Sequence, residues 1–339
     1  MKSKIIYIFP GQASQYVGMG KDLYNNSSAA REVMDRIREM EGLKHIREVC
    51  FEGPEDVLTR TDNVQPAITA ISLMALAALA EAAGKDPDRI TPTACAGHSL
   101  GEYAAHAAAG NLSEDQVMRL VKWRGFWMNE ASQPPNPGGS MVAVMGMGLS
   151  DLETIVDQTG KDRIAIANLN SPGQVIISGT SDAVEAAAEA AKTAGAKRCI
   201  PLKVSGAWHS PLMRSAQEKM TQLLSAEFSM RQTTVSAEIP VVANATAEVV
   251  KDTPELHSTL SRQITSPVRW EDCVGRLVKL TGCPDLPSRL AEDYAPLPLF
   301  VEVGPGKVLK GLLKNIDRKL EVINVEDMTG VKDLMERLG

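Results

Sequence analysis

Two periodicities alternate along this chain. Residues 4–9 (Lys-Ile-Ile-Tyr-Ile-Phe) form a short apolar run closed by Pro10, Gly11 and Gln12, the mark of a buried strand ending in a turn. Over 28–41, Val33, Ile37 and Met40 recur at helical spacing. Residues 64–83 carry Ile68, Ile71, Leu73, Leu76 and Leu79 in an Ala-rich stretch that Gly84 stops, which predicts a long, mostly buried helix. Residues 92–96 are small and apolar, as in a central strand, and 102–109 read as helix. Ser113 with Gln116 makes a capping box for a helix running to about Ser132.

The pattern then breaks. Residues 133–139 hold three prolines and two glycines in seven positions, which predicts a boundary. Beyond it, strands are expected at 141–147, 164–167, 175–178 and 197–204, with helices at 151–158 and 182–194. That βαββαβ order is the ferredoxin-like split pattern. The larger α/β unit resumes near Ser205, with strands at 239–243, 299–303 and 321–325 and helices near 255–263, over 307–316 and at the C-terminal end. The division expected is therefore 1–134 with 205–339 as a main α/β unit, and 135–204 as an inserted subdomain.

A length of 339 residues agrees with roughly two units at about 150 residues each. Lys plus Arg number 36 and Asp plus Glu 42, a formal charge of −6 that argues against a nucleic-acid partner. Apolar residues make up 44% and charged residues 23%, which excludes bulk disorder. The five cysteines are scattered, odd in number and form no Cys/His cluster, so neither a disulfide framework nor a metal site is expected, and a reducing cytosol is the natural compartment. Five consecutive apolar residues before Pro10 fall short of the about 7–15 of a signal peptide. No window is expected to reach the roughly 18 apolar residues of a membrane span, so no membrane partner is expected.

Gly97-His98-Ser99-Leu100-Gly101 fits G-x-S-x-G between a small apolar strand and an Ala-rich helix. A serine on such a tight strand-to-helix turn projects its hydroxyl clear of the backbone, and the N–H of Leu100 can face a developing oxyanion. The alternative is a serine that merely caps a helix. A nucleophilic serine needs a base. Of five histidines, His45 and His257 lie among polar helical residues and His106 lies mid-helix. His98, next to Ser99, should point away from it, either hydrogen-bonding near the site or packing in the core. His209, in a loop flanked by Gly206 and Pro211, is the best base by elimination. Arg124 has Leu120, Val121, Trp127 and Met128 at i−4, i−3, i+3 and i+4, which puts it inside an apolar stripe. It is either half of a structural ion pair, a charge that snorkels outward, or a fork for a ligand carboxylate.

These segments together resemble the malonyl-CoA:acyl-carrier-protein transacylase family. The matches are Phe9-Pro10-Gly11-Gln12, the run from Gly97 to Tyr103, Arg124-Gly125, the run from Asn168 to Gln174, Ala207 to Met213, Gln263 to Trp270, and Val301 to Lys307, in the family's order over nearly the full length. The resemblance implies an α/β-hydrolase-like core with an inserted ferredoxin-like subdomain. It implies Ser99 as nucleophile, His209 as base, the N–H groups of Gln12 and Leu100 as oxyanion hole, and Arg124 as partner of the malonyl carboxylate. It also implies that the backbone carbonyl of Gln263, in place of an acidic residue, orients His209. Asn170 either lines the site or is a turn residue before Pro172. The implied partners are malonyl-CoA and an acyl carrier protein, in fatty-acid or polyketide synthesis, with no cofactor.

Two departures stand out. Trp208 replaces the family's usual phenylalanine, which narrows or reshapes the pocket, and the Pro-rich stretch 283–298 reads as a surface insertion. Two other readings compete: an acyl hydrolase on the same fold, which Arg124 disfavours, and a catalytically silent carrier-binding module, which an intact Ser99 and His209 disfavour. Carrier proteins are acidic, so docking needs a local basic patch. Lys307, Lys310 and Lys314 on one helix face, or Lys192, Lys197 and Arg198 on the subdomain, are the candidates.

Overall fold

Strand β1 (Ile5–Phe9) is buried at every residue and lies between two parallel neighbours, which is why its sequence is a continuous apolar run and not an alternation. The computed structural model describes residues 4–134, 136, 139–202, 204, 206–227, 235, 238–283 and 297–339. After β1 come helices α1 (Lys21–Asn26), α2 (Ser28–Glu39), α3 (Ile46–Glu52), α4 (Glu55–Thr59) and α5 (Thr61–Ala83). Strand β2 (Ala94–Gly97) follows, then α6 (Gly101–Ala108) and α7 (Glu114–Ala131). Ser113 caps α7 with the expected reciprocal bonds to Gln116.

Helix α5 is apolar nearly all round and packs between α2 and α7. By length and composition it is apolar enough to cross a membrane, against the expectation that no window comes close; most of it is buried inside the protein. A helix surrounded by other helices has no solvent face to keep polar, so a core helix and a membrane span share this composition.

The smaller unit runs β3 (Gly139–Met145), α8 (Leu149–Thr159), β4 (Ile164–Ser171), β5 (Gln174–Thr180), α9 (Ser181–Thr193) and β6 (Arg198–Pro201). Its sheet is antiparallel in the order β4-β5-β3-β6, the ferredoxin-like arrangement. Strand β4 runs four residues past its expected end at Ala167, through Asn168 and Asn170. Asparagine has poor strand propensity, but both residues sit in a bulged ladder against β5, and Asn168 also bridges Val268.

The chain then passes α10 (Arg214–Glu227), α11 (Thr253–Arg262) and α12 (Trp270–Leu280), strand β7 (Leu299–Val303), α13 (Val308–Ile316), β8 (Val322–Val325) and α14 (Met328–Leu338). The parallel sheet has the order β2-β1-β7-β8. The strand expected at 239–243 is reduced to single bridges, Val241 with Cys95 and Val242 with Val249. Pro240 accepts from the N–H of Cys95 at 2.9 Å but has no N–H to return, so the ladder does not extend. Most of the stretch expected as an insertion, at 284–296, lies outside the described residues, as do Pro135, Pro137, Gly138 and Ser205 near the expected boundaries.

Because β1, β2 and β7 are parallel, the loops after Phe9, Gly97 and Val303 emerge along one edge of the sheet. The chain goes from β1 to β2 on one side and returns to β7 on the other. A crevice outside the carboxyl ends of such strands is the ordinary ligand site of open parallel sheets.

Candidate active site

The turn from β2 to α6 is tight enough to dictate its glycines. A Cβ on Gly97 would fall 1.9 Å from the carbonyl carbon of Gly101, and one on Gly101 would fall 2.0 Å from the Phe9 carbonyl oxygen. Ser99, between them, is held at φ 50°, a left-handed conformation that costs a non-glycine residue energy and here presents its hydroxyl to a cleft. The Ser99 N–H donates to Asn244 Oδ1 at 2.6 Å, and Asn244 Nδ2 donates to the Gly97 carbonyl at 2.7 Å. One side chain therefore clamps both sides of the turn.

His209 arrives from the loop after the subdomain, also at positive φ, 59°. Its Nε2 lies 2.7 Å from Ser99 Oγ, and its Nδ1 lies 2.8 Å from the Gln263 carbonyl oxygen. A carbonyl only accepts, so Nδ1 carries the proton and the Nε2 lone pair faces the serine hydroxyl. Burial, together with the nearby positive charge of Arg124, pushes the imidazole pKa down to about 3, so the ring is neutral at physiological pH.

Arg124 is fully buried on α7. Its guanidinium donates to Gln65 Oε1 at 2.8 Å, to Ser99 Oγ at 3.0 Å and to Gln263 Oε1 at 3.1 Å, and it stands over the Tyr103 ring at 5.6 Å. Among the described residues no carboxylate lies at salt-bridge distance from it, so neither the structural ion pair nor the outward snorkel is what the fold built. Burial lowers its pKa from the usual arginine value.

Leu100 stands at the N-terminal end of α6, and Gln12 lies in the loop after β1. Among the described residues, neither backbone N–H is hydrogen-bonded within the protein. The cleft, of about 510 Å3, is lined by Gln12, Ser99, His209, Asn170 and Trp208, and by Val308 and Leu312 of α13. His98 also lines it; its Nε2 meets Asn170 Oδ1 at 2.9 Å, and its ring packs edge-on to Trp270 at 5.5 Å. His98 thus hydrogen-bonds beside the cleft while packing against a buried ring, and Asn170 is a strand residue facing the cleft, not a turn residue.

His106 is buried on α6 against Asn111 at 3.0 Å, where burial lowers its pKa to about 3. His45 is exposed and His257 half-buried; neither lines the cleft. Among the described residues, no group of three His, Cys, Asp or Glu stands close enough to hold a metal ion.

Sequence reading missed Asn244, Gln65 and the hydrogen bonds that Glu102 Oε2 accepts from the Asn244 N–H and Gln263 Nε2. Gln65 had a signal, a polar residue within an apolar helix. Asn244 had none beyond following an apolar run. Glu102 lay inside the matching Gly97–Tyr103 motif without an assigned partner.

The acyl transferase domain model matches residues 6–280. The malonyl CoA-acyl carrier protein transacylase of Bacillus subtilis (strain 168) is 41% identical over 327 residues, covering 96% of this chain and 94% of the relative. That of Staphylococcus aureus (strain MRSA252) is 35% identical over 332 residues, covering 97% and 98%. Among solved structures, an acyl-carrier-protein-S-malonyltransferase from Bartonella henselae superposes with a TM-score of 0.84 at 33% identity over 99% of each chain. A malonyl-transacylase solved in complex with its type II PKS acyl-carrier protein, PlMCAT with holo AntF, gives 0.85 at 32% identity over 99% of this chain and 100% of that one. With full-length similarity in both sequence and fold, and a serine, a histidine and a carboxylate-free arginine converging on one cleft, the chain belongs to the malonyl-CoA:acyl-carrier-protein transacylase family.

Proposed function

We propose that this protein transfers a malonyl group from malonyl-CoA to the phosphopantetheine thiol of an acyl carrier protein, through an ester on Ser99, in fatty-acid or polyketide synthesis. One observation carries the choice of acyl group. The Arg124 guanidinium lies 3.0 Å from Ser99 Oγ, fully buried and with no carboxylate partner among the described residues. A buried cation in that state is favourably completed by a ligand that brings an anion to within one acyl length of the nucleophile.

In the first half-reaction, Ser99 Oγ gives its proton to His209 Nε2 and attacks the thioester carbonyl. The carbonyl oxygen becomes an oxyanion facing the N–H groups of Leu100 and Gln12; removing one such donor in comparable sites costs about 2.7–4 kcal/mol. Collapse expels the CoA thiolate, which takes the proton from the His209 imidazolium and leaves as the thiol. In the second, His209 accepts the proton of the carrier's thiol, the sulfur attacks the malonyl ester, and Ser99 departs with that proton returned by His209. The Gln263 carbonyl supports the imidazolium at Nδ1 throughout. His98, Asn170 and Trp208 shape the cleft around the acyl chain.

Two separate sheets, one parallel and one antiparallel, support the division into a core of 1–134 with 205–339 and a subdomain of 135–204, and the cleft lies where strands of the antiparallel sheet face the loops after β1 and β2 and helix α13. The five cysteines form no disulfide, which supports a reducing cytosolic setting. The test is intact-mass analysis after incubation with malonyl-, methylmalonyl- and acetyl-CoA. A malonyl adduct that a carrier protein discharges is expected. An adduct lost to water at the same rate with or without carrier identifies a hydrolase, and no adduct at all identifies a silent module.

A further inference from the structure

Glu102 follows the nucleophile turn by three residues and is wholly buried on the first turn of α6. Its Oε2 accepts two hydrogen bonds, from the Asn244 N–H at 2.9 Å and from Gln263 Nε2 at 2.7 Å, while its Oε1 has no partner. Burial pushes the carboxyl up to about 7, and the two donors and the charge of Arg124 oppose that. A carboxyl kept in such a place has its two donors as its evident purpose, and both donors belong to residues that hold the reacting groups.

Gln263 is the junction. Its Nε2 uses both hydrogens, one on Glu102 and one on the Ser99 carbonyl at 2.9 Å, so its Oε1 is left facing the Arg124 guanidinium. Rotating the amide by half a turn would set its oxygen against two acceptors and its NH2 against the guanidinium donors. Asn244 is the other arm, since its backbone rests on Glu102 while its side chain clamps the Ser99 turn. We propose that Glu102 is a positioning residue for the transfer reaction: one carboxylate oxygen locks the Gln263 amide so that Arg124 is aimed at the acyl site, and seats Asn244 so that the Ser99 turn is held. The Arg124 half of this rests on the malonyl reading above; the Ser99 half does not.

The two bonds share one oxygen, so the variants separate acceptor from charge. Glu102→Gln can present its single carbonyl oxygen where Oε2 stands, and should load malonyl-CoA within about threefold of the parent. Glu102→Met removes the acceptor and should slow loading by about 10- to 100-fold and lower the malonyl-over-acetyl preference by about tenfold. Combined with Gln263→Met, it should lower that preference no further than Gln263→Met alone, because both act through the same amide. Should Glu102→Met not fold, Glu102→Asp withdraws the oxygen by one methylene with the charge kept, and the same loss of preference is expected.

Labelling of Ser99 by a fluorophosphonate probe, run on the same set, reports the Ser99 arm without reference to any acyl group; slow labelling of the Met or Asp variant and parental labelling of the Gln variant are expected. The proposal is overturned if the Met or Asp variant keeps parental preference and labelling, if the Gln variant fails while the Asp variant does not, or if the effects of Glu102→Met and Gln263→Met on preference add. A parent enzyme that forms no malonyl adduct instead defeats the functional reading, and the labelling series alone then decides for or against Glu102.

Discussion

At the residue scale the site works because each polar atom has one direction left to face. Asn244 occupies the Ser99 N–H, which leaves the next N–H, that of Leu100, for the oxyanion of the proposed reaction. The Gln263 carbonyl fixes the His209 tautomer, which leaves Nε2 for the serine proton. Ser99→Ala should abolish the acyl adduct; an adduct of parental size and rate by intact mass would refute Ser99 as nucleophile. Arg124→Ala should cut malonyl loading sharply, by about 100-fold, with acetyl loading little changed or raised, because a neutral acyl group no longer leaves a buried cation unpaired. Equal losses with both substrates, in rapid-quench assays, would count against the carboxylate fork. The acid side of the pH profile tests His209. A base must be neutral, and a pKa pushed down to about 3 keeps it neutral well below the usual histidine range. Malonyl loading kcat/KM should therefore show no inflection near pH 6.5, and an inflection there would mean that the imidazole is not desolvated as the structure has it.

At the element scale, α13 joins the cleft to the surface. Val308, Leu309 and Leu312 line the cleft, while Lys310 and Lys314 on the same helix stand exposed. Glu302 holds the start of this helix, accepting from the N–H groups of Leu309 and Lys310 at 2.9 Å each. Of the two basic patches, this one borders the cleft and is our choice for carrier docking. Lys307 is already paired with Glu326 at 3.2 Å, and on the subdomain Lys192 is paired with Glu189 at 2.5 Å. Lys310→Glu with Lys314→Glu should raise the KM for carrier protein several-fold at low salt, by less at high salt, with malonyl loading of Ser99 unchanged. Unaltered carrier kinetics at low ionic strength would exclude docking on this face. The element pattern itself was largely readable. Helix α12, with Trp270, Cys273, Val274, Leu277 and Val278 buried, carried a plain helical stripe that the sequence reading did not take up, whereas β4 hid its second half behind two asparagines.

At the scale of the whole molecule, four buried groups pull stability in opposite directions. His209 and His106 fall from 6.5 to about 3, and Glu102 and Glu302 rise from 4.5 to about 7. The depressed histidines lend stability above pH 6.5 that is lost as pH falls towards 3; the raised carboxyls lend stability below pH 4.5 that is lost as pH rises towards 7. Between about pH 4.5 and 6.5 the unfolded chain holds the two histidine protons and the folded one the two carboxyl protons, so these four groups offset one another; below that window only their histidine loss remains. Replacing His106 with Gln should tilt the window by about 1.4 kcal/mol per pH unit relative to the parent, towards greater stability at lower pH, as measured by urea unfolding. An unchanged slope would mean that His106 is not held neutral. Local sequence alone specifies the βαββαβ insert, the glycine-framed serine turn and the buried position of Arg124, because these follow from local periodicity and from sterics within a few residues. It left Arg124 open between ion pair and ligand fork, and it offered no hint of Asn244. Only tertiary structure decided those, because whether a buried charge has a partner depends on segments 59 and 139 positions away, at Gln65 and Gln263, brought together by a parallel sheet whose strands are far apart in the chain.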